Sequence, residues 1–325
     1  MMGMLQTLWR HSRALIGPGF ERRTLLVGAA RGAAAELRAA YQGSEQTLPF
    51  ILRELFESPQ RTTAAALEET SAVDLWIEER GPLASLVNAP AHELRLPAWI
   101  SQQIDLRPAG AGAFAFGRHV RRETERHIRR CGYSLDFSTD PQTLRQFYRD
   151  LYRPYVQARF EVQAIVVSEE TFLQRAAGQW LARLHAGTTW TAGMLLAREA
   201  QVLRFGWFGA CSNPPPPGAS EVLDALVIRW AAQQQLHRVV LGHSRACLRD
   251  GVLRYKRRLG AQIRATRFPQ PQIFLRVVRP SEWLARCLDE AGFIRIRGGT
   301  AFAQRVEIRD GQPWVRLEPV IHERA

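Results

Sequence analysis

Lysine is almost missing from this 325-residue chain: of its 44 lysine and arginine side chains, 43 are arginine and one, Lys256, is lysine. Arginine's planar fork does not replace lysine's compact ammonium where a point charge or a deprotonatable amine is needed. The stretch around Lys256 is therefore the first place to look for chemistry. Cysteine is scarce as well. The four, at 131, 211, 247 and 287, have no metal-ligand spacing, so no metal constellation is read and a reduced, cytoplasmic setting is expected. No apolar run approaches the roughly 20 residues of a membrane span. The opening MMGMLQTLWRHSRALIGPGF lacks an apolar core of signal-peptide length. These absences point to a soluble protein.

What the chain does have is positive charge. Its formal net charge is +13 and its pI near 10.7, which favours an anionic partner: nucleic acid, a phosphorylated cofactor, an acidic glycan or a membrane surface. Hydrophobic residues make up 46%, enough for sizeable cores in two small domains or one large one.

The lysine sits in LGHSRACLRDGVLRYKRRLGAQI, residues 241–263. RVVLG (238–242) reads as a short buried strand. His243, Ser244 and Arg245 then fall at its C-terminal end, where open α/β sheets place their ligands. Asp250 is suited to cap a helix. Leu253, Lys256 and Leu259 follow at three-residue steps, which turns Lys256 inward or along a cleft, and Gly260 stops the helix. AQIRATRF then reads as a strand.

Along the rest of the chain, 24–30 reads as a strand and the Ala-rich 31–42 as a helix. Residues 47–58 read as a second helix and 72–79 as a second strand, and 92–106 as a strand that becomes a helix at Pro97. GAARG lacks the glycine spacing and the downstream acid of a phosphate loop. PAGAGAFAFG (108–117) is the candidate domain boundary. The helix at 118–130 holds six arginines and two glutamates and reads as a solvated face with i,i+4 pairs, Arg121–Glu125 and Glu125–Arg129, the alternative being a face that grips phosphates. Residues 133–138 read as a strand. The helical stripe of 141–160 is expected to bend or break at Pro154, leaving Tyr152, Tyr155 and Arg159 at a cleft. Ser168 starts another helix, and 179–186, 189–197 and 202–210 form an antiparallel meander. A helix over 219–235 leads into strand 238–242, and strands near 273–278 and 314–319 and a helix at 281–291 complete the chain.

LRLPAWISQQIDL, FYRDLYRPYVQARF, WTAGMLLA, VLRFGWFGA and above all GHSRACLRDGVLRYKRRLGA together resemble the FemAB-like branch of the GNAT (N-acyltransferase) superfamily, including acyltransferases encoded with exopolysaccharide or cellulose-biosynthesis genes. The aromatic–lysine pair and glycine of that family match Tyr255, Lys256 and Gly260. The resemblance implies an α/β (α+β) fold of tandem GNAT-like domains, with mixed sheets flanked by helices. Residues 1–110 would be a degenerate domain and 111–325 the acyltransferase domain. It implies acyl or aminoacyl transfer to an amine or hydroxyl of a cell-envelope or polysaccharide-linked acceptor. The donor would be acyl-CoA, an acyl carrier protein or aminoacyl-tRNA. In this frame Lys256 holds a phosphate or carboxylate or stabilises the developing oxyanion, and Asp250 is a cap or a base. Ser244, Arg245 and His243 contact substrate from the strand end, with Tyr255 beside them, and Tyr152, Tyr155 and Arg159 line the facing wall. The chain departs from the family at FGACSNPPPPGAS, where prolines replace the loop whose amides hold pyrophosphate in enzymes that bind acetyl-CoA.

Two rival readings remain. VVLGHSRA resembles the nucleophile elbow of a serine hydrolase, with Ser244 as nucleophile, but the only later histidine is His322. A non-catalytic binding module of the same fold is the other.

Overall fold

The computed structural model describes residues 23–32, 35–45, 47–62, 73–82, 84, 90, 92–107, 116–160, 166–266 and 270–320. The chain starts with strands β1 (Arg23–Ala30) and β2 (Glu36–Gln42), helix α1 (Leu48–Leu55) and strands β3 (Phe56–Thr62), β4 (Leu75–Arg80), β5 (Glu93–Pro97) and β6 (Ile100–Asp105). Helix α2 (Arg118–Cys131) and β7 (Tyr133–Ser138) precede a long helical run. That run is α3 (Pro141–Gln146), a π-helical segment (Phe147–Tyr152) and α4 (Arg153–Phe160). Next are α5 (Glu169–Ala176), β8 (Trp180–Ala186), β9 (Thr189–Glu199), β10 (Val202–Ala210), α6 (Ala219–Gln233), β11 (Arg238–Ser244) and α7 (Gly251–Arg258). The chain ends with β12 (Gln262–Arg264), β13 (Gln272–Val277), α8 (Glu282–Ala291), β14 (Ile294–Arg297), β15 (Thr300–Arg309) and β16 (Gln312–Pro319).

These elements form a mixed α/β architecture of two compact units. One gathers residues 1–101, 243–254 and 263–322; the other gathers 102–242 and 255–262. The first is built on a six-stranded sheet in the order β3-β1-β2-β4-β13-β5 and a three-stranded sheet β14-β15-β16. β13 lies between β4 and β5, antiparallel to both, with Ile273 and Leu275 fully buried. The second unit is built on a seven-stranded sheet in the order β12-β6-β11-β10-β9-β8-β7, whose meander β8–β10 is the hairpin series expected from the sequence. Its core joins Ala182, Leu184 and Leu196 of that meander to Val222, Leu223 and Ile228 of α6. Among the described residues no helix is long and apolar enough to cross a membrane.

Four expectations are corrected. The Ala-rich 31–42 is not a helix: residues 36–42 are β2, held by β1 on one side and β4 on the other, so sheet pairing outweighs alanine's helical preference. Pro97 does not open a helix. It ends β5, and the Gln270 side chain both accepts from Trp99 N–H (2.7 Å) and donates to Trp99 C=O, turning the chain into β6. Pro154 does not break the helix; the irregularity expected there takes the form of a π-helical turn just before it, which gives the ring room. AQIRATRF forms a strand over Gln262–Arg264 and, among the described residues, not beyond it.

Candidate functional site

In the second unit, β10 and β11 run parallel for three residue pairs, Val202–Arg238 to Arg204–Val240, and then part. β10 carries a bulge between Phe205 and Phe208 on its β9 side and continues to Ala210; β11 continues without that neighbour. A bulge bends its strand and disturbs the local ladder, which suits a strand leaving its partner. Past the parting point, Lys256 Nζ lies 3.9 Å from where a Cβ on Gly242 would stand. Lys256 is only 8% exposed, so the lone lysine points inward as its helical spacing suggested.

Lys256 faces an acid. Asp224, on the first half of α6, accepts a 2.7 Å hydrogen bond from the Tyr255 hydroxyl. The residue keeps some exposed surface, yet its carboxyl is enclosed by protein. Desolvation pushes that carboxyl up to about 7, against the Tyr255 hydrogen bond and the Lys256 charge, which pull it down. Tyr255 is in turn held well above the ordinary phenol range, first by burial and then by the Asp224 charge. The pair therefore shares a proton that Asp224 can take or release near neutrality while Tyr255 stays protonated.

Tyr255 also lines a cavity of about 180 Å³ with Arg258 of α7 and Leu259 just after it, Glu221 of α6, and His119, Glu123 and His127 of α2. The three α2 side chains recur every fourth residue and so share one helix face. His127 packs on the start of α6: a Cβ on Gly218 would stand 2.6 Å from its Nδ1, so glycine there is required by the imidazole as well as by its left-handed φ of +73°. Four prolines, 214–217, immediately precede Gly218 and have no N–H to offer a ligand. Among the described residues no group of three or more His, Cys, Asp or Glu is placed to hold a metal ion.

The other sequence-predicted residues are distributed as follows. Asp250, in the first unit, caps α7 by accepting from Leu253 N–H (2.8 Å) and pairs with Arg53 (3.2 Å). Arg245 lies over Trp99, 3.8 Å from the ring centre, and donates to Ala98 C=O; its burial lowers the guanidinium to about 10. His243 is exposed on β11. Ser244 is 3% exposed and its Oγ has no hydrogen-bond partner among the described residues, so no imidazole activates it there; His322 lies outside them. Ser244 is the last residue of β11 and not the apex of a strand-to-helix turn, since α7 starts only at Gly251. Tyr152 and Tyr155 lie in the second unit's core and not on a cleft wall. Tyr152 packs on Phe172 and Trp207, and Tyr155 meets Phe208 edge-on. The helix continues through Pro154, and the irregular π-helical turn just before it leaves both tyrosines buried. Arg159 is exposed, its guanidinium near the Tyr155 ring.

The sequence reading missed Asp224, Glu221, His119 and His127. The four-residue spacing of His119, Glu123 and His127 was legible but was masked by the surrounding arginines. Asp224 gives no local sign, because its partner is 31 residues away.

No family model matches the chain, and no curated protein does. Among solved structures it is similar to L-PGS from Bacillus licheniformis, with 11% identity and a TM-score of 0.42 over 79% of this chain and 85% of that one. It is similar also to FemX, with 9% identity and a TM-score of 0.40 over 82% of this chain and 90% of that one. A third likeness is to a GCN5-related N-acetyltransferase from Sphaerobacter thermophilus, with 14% identity and a TM-score of 0.36 over 64% and 61% of the two chains.

Proposed function

We propose that the protein is an acyl- or aminoacyl-transferase acting on an amine or hydroxyl of a cell-envelope or polysaccharide-linked acceptor, with its chemistry at Tyr255, Asp224 and Lys256. The observation that carries the reading is the 2.7 Å Tyr255–Asp224 hydrogen bond, with Asp224 titrating near 7, at the wall of a cavity. An acyl transfer needs a proton removed from the nucleophile and one returned to the leaving group. In the proposed step the acceptor's nitrogen or oxygen bonds to the donor carbonyl carbon and its proton passes to Tyr255 Oη. The phenol's own proton moves to the Asp224 carboxylate. Collapse of the tetrahedral intermediate breaks the bond to the donor's leaving sulfur or oxygen, which takes the proton back along the same path. Lys256 keeps the Asp224 carboxylate available and offers positive charge beside the developing oxyanion.

The test offers the purified protein labelled acyl-CoA, acylated carrier protein and aminoacyl-tRNA in turn, with cell-envelope extract, and follows the label. Transfer from one donor is expected, reduced at least about a hundredfold in Tyr255→Phe, with its melting temperature near that of the parent. Full transfer by Tyr255→Phe would sink the assignment. Stoichiometric labelling by a fluorophosphonate that disappears in Ser244→Ala would favour the hydrolase instead.

A further inference from the structure

The outward face of α2 is an array of arginines that the cavity does not use. Arg118, Arg121, Arg122, Arg126, Arg129 and Arg130 are all exposed. The in-helix pairs expected at i,i+4 do not form: Glu123 pairs with Arg126, and Glu125 reaches Arg229 on α6 at 3.9 Å. Arg118, Arg121, Arg122, Arg129 and Arg130 are left with no carboxylate within 4 Å among the described residues. Elsewhere many surface arginines are matched, as at Arg107–Asp105, Arg149–Glu169 and Arg316–Glu318. At about 100° per residue, positions 118, 122 and 129 fall within about 40° of one another and span about 17 Å, with 121 and 126 on the flanks; Glu125 stands beside this ridge and reaches Arg229, and 130 lies toward the cavity side. The opposite face packs inward through Val120, Thr124 and Ile128.

We infer that this face of α2 docks on an anionic lipid bilayer. A straight ridge with cations on both flanks matches a plane of phosphates, and guanidinium binds phosphate oxygens in pairs. The face carries no aromatic residue, so it offers nothing on which the bases of a single strand would stack. It is also convex, being the outer side of a helix, and does not form a groove that would track a backbone. The inference deepens the proposed function by naming where the acceptor is met. α2 lines the cavity with its inner side, so docking would bring that cavity to the headgroup layer.

The experiment is vesicle co-sedimentation of the whole protein without any acyl donor, so a failure here leaves the transfer reading untouched; equally, Tyr255→Phe protein should still bind. The protein is expected on phosphatidylcholine vesicles containing about one third phosphatidylglycerol, not on phosphatidylcholine alone, with binding falling as salt rises. Each arginine near such a surface contributes about fivefold, so the combined Arg118→Gln, Arg122→Gln and Arg129→Gln variant should bind about a hundredfold more weakly. The same three positions changed to lysine should retain most binding. Melting should be unchanged in both variants, since all three side chains are exposed. Three results would overturn the inference: glutamine-variant binding equal to the parent's, equal binding to neutral vesicles, or capture of the protein by a structured RNA at lower concentrations than by anionic lipid.

Discussion

Asp224 costs the protein stability at neutral pH, and the sign of that cost is testable. Its folded-state carboxyl is raised to about 7 from an ordinary 3.8, chiefly by desolvation. Below about 4 both folded and unfolded chains hold the proton, and the residue makes no difference. Between about 4 and 7 the unfolded chain ionises and the folded chain does not, so stability falls as pH rises, then levels off. The ceiling is on the order of 4 kcal/mol for a shift of this size. Asp224→Asn keeps an acceptor for Tyr255 and removes the titration. Its melting temperature relative to the parent should climb between pH 4 and 7, and a pH-independent difference would mean an ordinary carboxyl. Lys256 gives a second check at the same scale. Lys256→Met removes the charge that assists Asp224 while keeping an apolar stem of similar reach. Transfer should fall about ten- to hundredfold, as expected when a charge-assisted contact is lost, with melting preserved. Lys256→Arg should lose transfer too and also destabilise by about 1–3 kcal/mol, because a larger head is forced into a buried place. Full activity in either variant would leave the lone lysine without a role. This residue was legible because the sequence has no other lysine; Asp224 was not, because ASEVLDALVIRW reads as an ordinary amphipathic helix whose acids face water.

Elements were legible in proportion to how local their causes are. Ser168 caps α5 by accepting from Thr171 N–H, Ser281 caps α8 by accepting from Leu284 N–H, and Gly132 and Gly292 end α2 and α8 in left-handed conformations. Each is written in three or four consecutive residues. β2 was not legible, since its alanines favour a helix until β1 and β4 flank them. The β14–β15 hairpin was missed as well, its strands lying either side of Gly298 and Gly299 in a stretch rich in arginine. At the start of α6 the local message and the structure agree. Four prolines precede a glycine that has the His127 ring against it, and Glu221 adds negative charge to the first turn. A helix start presented this way is a poor seat for pyrophosphate, which needs free amides and positive potential. Calorimetry should therefore find weak or no acetyl-CoA binding. A tight complex would show that the prolines and His127 do not exclude the coenzyme and would make acyl-CoA the leading donor.

At the scale of the whole molecule, the two units differ in how their sheets are sewn. In the second, β8, β9 and β10 follow one another in sequence and in space, so short turns specify their pairing, and this meander could be read from spacing alone, though not the placing of β6 between β12 and β11. In the first, the decisive strand arrives late. β13 pairs residue by residue with β4, from Gln272–Arg80 to Val277–Leu75, and with β5, from Gln272–Pro97 to Arg276–Glu93. Nearly two hundred residues separate these partners, and no local pattern announces that a strand after α7 will sit between two strands before α2. Its apolar side chains bury fully there, and Leu284 and Leu288 of α8 join the same core. Removing residues 263–325 therefore does more than shorten the chain. It leaves β4 and β5 with unpaired edges in the middle of a sheet and strips the first unit's core of Ile273, Leu275, Leu284, Leu288 and Phe293. The second unit loses little beyond β12 at the edge of its sheet. The truncated chain should lose one unfolding transition and bind a dye specific for exposed apolar surface, while the near-ultraviolet signal of Trp180, Trp190, Trp207 and Trp230 persists. A truncated protein that unfolds with the parent's full enthalpy would show that β13 is dispensable, and the pairing of β4 with β5 through it would then contribute nothing to stability.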